Sequence, residues 1–362
     1  MSGAGKRLVV VGAGGNIGSH LVPHLARQPE VGSVTLIDPG RYEAKDVAAQ
    51  SLRVSDVGRR KVTVQARRLR RIRPALAVRS QAVLVEQLPL GALDVDLILA
   101  CLDSRRSRQY VNQAAWRLGV PWVDAGVDAG GLLARIDVYA PGPGAPCLEC
   151  AWDDRDYELV EQVYACDDGS FEAPATGAPS SLGALAASLQ ALEARRLLAD
   201  GAGADRDGFQ VVIDARHYRL LRTQLRRNPD CRMQHDVWSW ERLGSDPAEA
   251  TLGGLFAADP SARRLSVAGR QFVWRLTCTG CGRRRARGRF DPAQLPPQRR
   301  CSACGAPLVA AGFDVAEQLE AAGLPLATLG RSLRGVGIRP GDVMTLCGTG
   351  PEKRFLITGD RT

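Results

Sequence analysis

The chain has 362 residues, 45% of them hydrophobic and 24% charged, enough to bury a sizeable core in one large domain or two. Its formal net charge is +9, from 48 basic and 39 acidic side chains, a balance that fits an acidic protein partner, a nucleic acid or an arginine-rich solvated face. No apolar run of about 18 residues occurs, which excludes a transmembrane helix, and the opening "MSGAGKR" lacks the apolar stretch of a secretion signal, so a cytoplasmic chain without a membrane partner is expected.

Residues 7–12, "RLVVVG", form a continuous apolar run, the pattern of a strand buried on both faces. The run enters a turn containing Gly12, Gly14, Gly15 and Gly18, which opens a helix over 17–28. The spacing is G-x-G-G-x-x-G. The dinucleotide fingerprint G-x-G-x-x-G would place its third glycine where Ile17 stands. A second strand, "VTLID" (34–38), ends in Asp38. The helix-like stretch 58–72 carries the basic face "RRLRRIRP" (67–74) and stops at Pro74. "DLILACLD" (96–103) is a buried strand ending in Asp103, and a helix over 104–118 follows it. "PWVDAGV" (121–127) and "LARIDVYA" (133–140) add two strands. This alternation predicts an α/β fold with a doubly wound, mostly parallel, Rossmann-like sheet. Ligands bind such sheets beyond the carboxyl ends of the strands, where the glycine turn, Asp38 and Asp103 fall.

Residues 153–181 are polar with clustered Gly and Pro, and read as a long crossing loop. An amphipathic helix follows over 182–198, with Leu182, Leu185, Leu189 and Leu192 on one face. Residues 209–225 read as a late antiparallel hairpin. The expected division is a nucleotide-type domain over 1–240, a linker over 241–270, a zinc ribbon over 271–310 and a small C-terminal segment over 311–362.

Ten cysteines occur, most of them in short spaced groups, which in a reducing compartment points to metal or catalysis rather than disulfides. Cys278, Cys281, Cys301 and Cys304 give C-x2-C-x19-C-x2-C, the spacing of a ribbon closed on one tetrahedral zinc. A second set is split: Cys147 and Cys150 in "CLEC", then Cys231 and His235 in "CRMQH", together a Cys3His set acceptable to zinc. The run "RRRARGR" (283–289) inside the ribbon is a solvated loop, or a contact for nucleic acid or an acidic protein.

The glycine turn, Asp38, "CLDS" after a later strand, "CLEC" and the ligand pair near 231 stand in an order that resembles the ThiF/MoeB/HesA superfamily, the ubiquitin-activating-enzyme-like adenylating enzymes. The resemblance spans residues 6–240. It implies that the glycine loop cradles ATP, and loop amides at a helix N-terminus do favour phosphate oxygens. It implies ribose contact for Asp38, magnesium binding for Asp103, phosphate contact for Lys61, and nucleotide-pocket roles for Gln50, Arg108 and Asn112. The family's asparagine and arginine before Gln50 are here Asp46 and Ala49. Its loop cysteine, which forms a thioester in some members, is matched by Cys166.

The implied reaction is ATP-dependent adenylation of the C-terminal carboxylate of a small ubiquitin-like or sulfur-carrier protein, with ATP, magnesium and zinc as cofactors. A homodimer, and a downstream conjugating or sulfur-transfer protein, are expected with it; nucleic acid is not an expected partner. Two alternatives stand beside this reading. One is a nicotinamide-dependent oxidoreductase on the same kind of sheet, against which the glycine spacing counts. The other is a degenerate nucleotide domain whose zinc ribbon binds nucleic acid or protein.

Overall fold

The computed structural model describes residues 5–162, 177–200, 208–244, 246–293, 299–310 and 312–358. Its contacts fall into two compact units, residues 1–85 with 93–237 and residues 86–92 with 238–362. Among the described residues no helix is long and apolar enough to cross a membrane.

The first unit runs β1 (Lys6–Val11), α1 (Asn16–Leu25), β2 (Val31–Ile37), α2 (Lys61–Ile72), β3 (Ala77–Gln81), β4 (Leu97–Ala100), α3 (Arg105–Leu118), β5 (Trp122–Asp128), β6 (Leu133–Tyr139), α4 (Asp154–Gln162), α5 (Ser180–Asp200), β7 (Phe209–Asp214) and β8 (Arg219–Gln224). Its strands form one eight-stranded sheet in the order β3-β2-β1-β4-β5-β6-β7-β8. The first five are parallel and the last three antiparallel. The chain winds outward from β1 in one direction and from β4 in the other. The switch point, where such sheets leave a crevice at their carboxyl edge, therefore lies between β1 and β4. Leu8–Val11 and Leu97–Ala100 are wholly buried, as the centre of a sheet covered on both faces requires.

The strand β3, "AVRSQ", is an exposed, polar edge whose residues carry no apolar run to mark it. Residues 154–162 form the helix α4 where a loop was expected. On α5, Leu182, Leu185 and Leu189 pack on the core as expected, together with Ala186, Ala187, Ala191 and Ala194, while Leu192 is exposed. Small residues let α5 pack closely on α1, and Gln28, three residues beyond the end of α1, donates to the Ala191 carbonyl (2.9 Å).

The second unit contains β9 (Glu241–Leu243), α6 (Leu252–Ala258), β10 (Ala262–Val267), β11 (Arg270–Cys278), β12 (Arg284–Pro292), β13 (Leu308–Val309), β14 (Val315–Ala316), β15 (Gln318–Glu320), α7 (Leu326–Leu329), β16 (Val343–Gly348) and β17 (Lys353–Ile357). One sheet has the order β15-β10-β16-β17-β9; in a second, β11 pairs with β12, β13 and β14. Residues 241–270 are therefore not a linker. They supply β9, β10 and α6, the last capped by Thr251, whose hydroxyl accepts from Gly254 N (3.1 Å). Residues 311–362 are likewise not a separate segment, because Leu265, Phe272, Phe290, Leu319, Val336 and Met344 share one core. A buried ion pair, Arg270 Nε to Asp342 Oδ1 at 2.8 Å, joins the start of β11 to the turn before β16.

Candidate functional site

The glycine turn closes over the carboxyl end of β1. Gly12 has φ +77°, in the left-handed region, and a Cβ there would stand 2.3 Å from the Cys101 carbonyl oxygen beyond β4. A Cβ on Gly18 would reach 2.1 Å from Gly12 O. Both positions thus require glycine, one for its torsion and contact, the other for helix-to-loop approach. The amides of Gly12 and Ala13 donate to Ile37 O at 2.9 and 3.2 Å, tying the turn to β2. No side chain caps α1. Its first amides, backed by the helix dipole, form an anion-binding end.

Asp38 fastens this turn from below. One carboxylate oxygen accepts from Gly14 N and the other from Gly40 N, both at 2.9 Å. Lys61 lies against the other side of the loop. It is the first residue of α2, and a Cβ on Gly14 would stand 2.3 Å from Lys61 Cβ. The starts of α1 and α2 therefore meet at Gly14. The Lys61 ammonium lies 5.5 Å from the centre of the Tyr42 ring and 3.6 Å from Asp46 Oδ2. Asp46 Oδ1 accepts from Gln50 Nε2 at 2.8 Å. The structure thus gathers Gly12, Gly14, Gly15, Gly18, Asp38 and Lys61 at one place, with Gln50 reaching it through Asp46.

Asp103 is exposed on the turn between β4 and α3, at the same sheet edge. Arg108 braces that turn by donating to the Leu102 carbonyl, and its Nε donates to Asp124 Oδ1 at 3.2 Å. Asp124 is fully buried on β5, and it also accepts from Arg135 Nη2 at 3.0 Å. Arg135 in turn pairs with Asp137 at 3.0 Å. Burial pushes the Asp137 carboxyl up to about 6, with Arg135 opposing. Nothing in the sequence pattern marked this network except acids inside apolar strands. Cys101 is partly buried against the core beside Gln190, and desolvation pushes its thiol up.

Asn112 is placed elsewhere than the loop. It is wholly buried on α3, where its Oδ1 accepts from Leu148 N (3.1 Å) and its Nδ2 faces Glu149 Oε1 (3.2 Å) and Met233 Sδ (2.9 Å). Glu149, itself buried, also accepts from Gln109 (2.9 Å) and Gln113 (3.4 Å). One face of α3 thereby holds the "CLEC" segment in place.

That segment and the chain near 231 bring Cys147, Cys150, Cys231 and His235 together, with all four ligand atoms within 4.8 Å of one another. Ligands about 2.3 Å from a tetrahedral ion stand about 3.8 Å apart. Here Cys147–Cys231 is 3.8 Å, Cys147–Cys150 3.7 Å and Cys150 Sγ to His235 Nε2 3.3 Å. His235 Nδ1 lies 2.8 Å from the Met233 carbonyl, so it carries the proton and turns the Nε2 lone pair toward the thiols. Trp116 packs edge-on against the imidazole at 4.6 Å. In the second unit Cys278, Cys281, Cys301 and Cys304 converge in the same way, with Cys278–Cys304 at 3.3 Å and Cys281–Cys301 at 3.7 Å. Cys281 N and Ala303 N each donate to a knuckle sulfur at 3.4 Å. Both donor sets fit zinc. Cys166 lies outside the described residues.

A ThiF family profile matches residues 4–233. The chain belongs to the ThiF family. Among its relatives is a ubiquitin-like modifier-activating enzyme 5 from Culex quinquefasciatus, 26% identical over 68% of this chain. The match covers 63% of that protein, so the chain spans less than two thirds of this relative's length. The sulfur carrier protein ThiS adenylyltransferase of Escherichia coli K12 is 28% identical over 53% of this chain and 72% of its own. Among solved structures, Escherichia coli MccB with ATP superposes with a TM-score of 0.50 at 21% identity, over 63% of this chain and 65% of that one. The last likeness is one of fold.

Proposed function

We propose that this ThiF family chain activates the C-terminal carboxylate of a small ubiquitin-like or sulfur-carrier protein by adenylation. The observation that carries the reading is the uncapped start of α1, wrapped by the glycine turn at the β1–β4 switch point, with Lys61 laid across Gly14. A triphosphate is the ligand that this set of amides and one ammonium fits. The family and the G-x-G-G-x-x-G spacing support ATP over a nicotinamide cofactor.

In this reading a carboxylate oxygen of the carrier attacks the α-phosphorus, and the bond to the pyrophosphate oxygen breaks. The carboxylate is already ionised, so no strong base is needed. Catalysis is positioning plus charge stabilisation. The first amides of α1 hold the phosphates and Lys61 neutralises charge on the departing pyrophosphate. Asp103 would hold magnesium, which supplies further neutralisation at the phosphates. Arg108 keeps the Asp103 turn in place from Asp124. Both zinc sites act as structural clasps. A later step in which the Cys166 thiolate attacks the acyl adenylate and releases AMP belongs to the same proposal, as do a homodimer and a downstream acceptor protein.

The test is ATP–pyrophosphate exchange with small carrier proteins ending in Gly-Gly. Carrier-dependent exchange, lost in Asp103→Ala at unchanged zinc content, supports the reading. Folded, zinc-loaded protein without affinity for magnesium nucleotide ends it. A carrier adduct that is cleaved by thiols and survives Cys166→Ala removes Cys166 as its nucleophile and leaves the adenylation reading standing.

A further inference from the structure

Asp46 is the residue at which the phosphate-facing side of the site departs from expectation. It stands where the resembling family carries an asparagine, and it is buried. Its Oδ2 accepts from Glu43 N at 2.9 Å and lies 3.6 Å from the Lys61 ammonium. Its Oδ1 accepts from Gln50 Nε2 at 2.8 Å. One carboxylate thus engages both side chains that reach toward the phosphates from this side. The Lys61 and Asp46 side chains are only 16% and 10% exposed, so water screens the pair poorly.

We infer that Asp46 is a positioning and specificity-determining residue whose carboxylate competes with the nucleotide's outer phosphates for Lys61 and Gln50. The inference rests on the nucleotide reading above. An ammonium shared with a fixed carboxylate offers a triphosphate less net attraction than a free one, and the carboxylate itself repels phosphate oxygens. Both effects act on the β- and γ-phosphates, at the far end of Lys61. A nucleoside monophosphate, held by the first amides of α1 and Asp38, escapes them. The residue therefore sets the ratio of triphosphate to monophosphate affinity, and so how readily the adenylate product side is favoured over ATP. A carboxylate kept only for local structure, closing the turn at Glu43, would leave that ratio alone.

The experiment is calorimetric binding of magnesium-ATP and of AMP to the zinc-loaded full chain as wild type, Asp46→Asn, Lys61→Met and the double variant. Asparagine keeps the shape and an acceptor for Glu43 N while removing the charge. The expected result is about tenfold tighter magnesium-ATP binding by Asp46→Asn, with AMP affinity unchanged within about twofold, and no gain from Asp46→Asn in the Lys61→Met background. Asp46→Ser, neutral and smaller, is expected to give the same selectivity and serves if the asparagine variant folds poorly. Equal or weaker ATP binding by these folded variants overturns the inference while the nucleotide reading stands. A gain that persists without Lys61 overturns it as well. No magnesium-nucleotide affinity in any of the proteins overturns the nucleotide reading and the inference together.

Discussion

Gly14→Ala is the substitution that most directly probes the meeting of α1 and α2. The new methyl would stand 2.3 Å from Lys61 Cβ. Carbon atoms in ordinary contact stand at about 3.5–4.0 Å, so the two must part by about 1.2 Å or more. Neither side yields cheaply. Lys61 opens α2, Gly14 N is held by Asp38, and the turn is tied to Ile37 O. Overpacking of this kind costs about 1–3 kcal/mol. At about 2–4 °C per kcal/mol for a unit of this size, a cost of 2 kcal/mol lowers the melting temperature of the first unit by about 4–8 °C. Because the displaced groups are Lys61 and the turn that sets the first amides of α1, magnesium-ATP affinity falls by about tenfold or more. Gly142→Ala, where an added Cβ meets nothing within 4 Å, is the control and is expected to stay within about 0.5 kcal/mol of wild type. A Gly14→Ala protein that melts with the wild type and binds magnesium-ATP as tightly refutes the argument.

Metal analysis of the purified chain is expected to give about two zinc ions per molecule, and about one in Cys231→Ser. Asp103→Ala is expected to remove pyrophosphate exchange by about 100-fold or more while zinc content and melting temperature hold, since its side chain is exposed. Native Cys101 is expected to resist alkylating reagents that modify it after unfolding, because burial keeps its thiol protonated; mass mapping checks this. The Asp137 carboxyl, raised to about 6 in the fold, favours the folded state when protonated, and this benefit is lost as pH rises from about 4 through about 6. Asp137→Asn is therefore expected to gain stability relative to wild type across that window, by on the order of 1–3 kcal/mol in denaturant titrations at pH 4 and pH 7.

The parallel half of the large sheet was legible because its strands are fully buried and read as unbroken apolar runs. The edge strand β3 was not, since an exposed "AVRSQ" carries neither alternation nor an apolar stretch. The glycine turn and both cysteine sets could be read from spacing, which reflects backbone and coordination geometry that few other sequences satisfy. What stayed hidden were pairings across the fold. Asp46 with Lys61, Arg108 and Arg135 on Asp124, and Glu149 with the amides of α3 depend on which strands and helices become neighbours. Asn112 shows the limit most clearly, because helix periodicity set its face but not the segment that the face would meet. In the second unit, β10 mixes arginines with apolar residues and joins its sheet by pairing with β16, about 80 residues further along the chain, so 241–270 looked like a tether.

The split cysteine set joins residues 84 positions apart, Cys147 and Cys231. A metal there ties off a ring of chain that includes α4, α5 and β7, much as a covalent staple would. By the entropy of loop closure, a permanent staple over that span disfavours the unfolded chain by about 4.5 kcal/mol. A chelator that opens the ring is therefore expected to lower the melting temperature of the first unit.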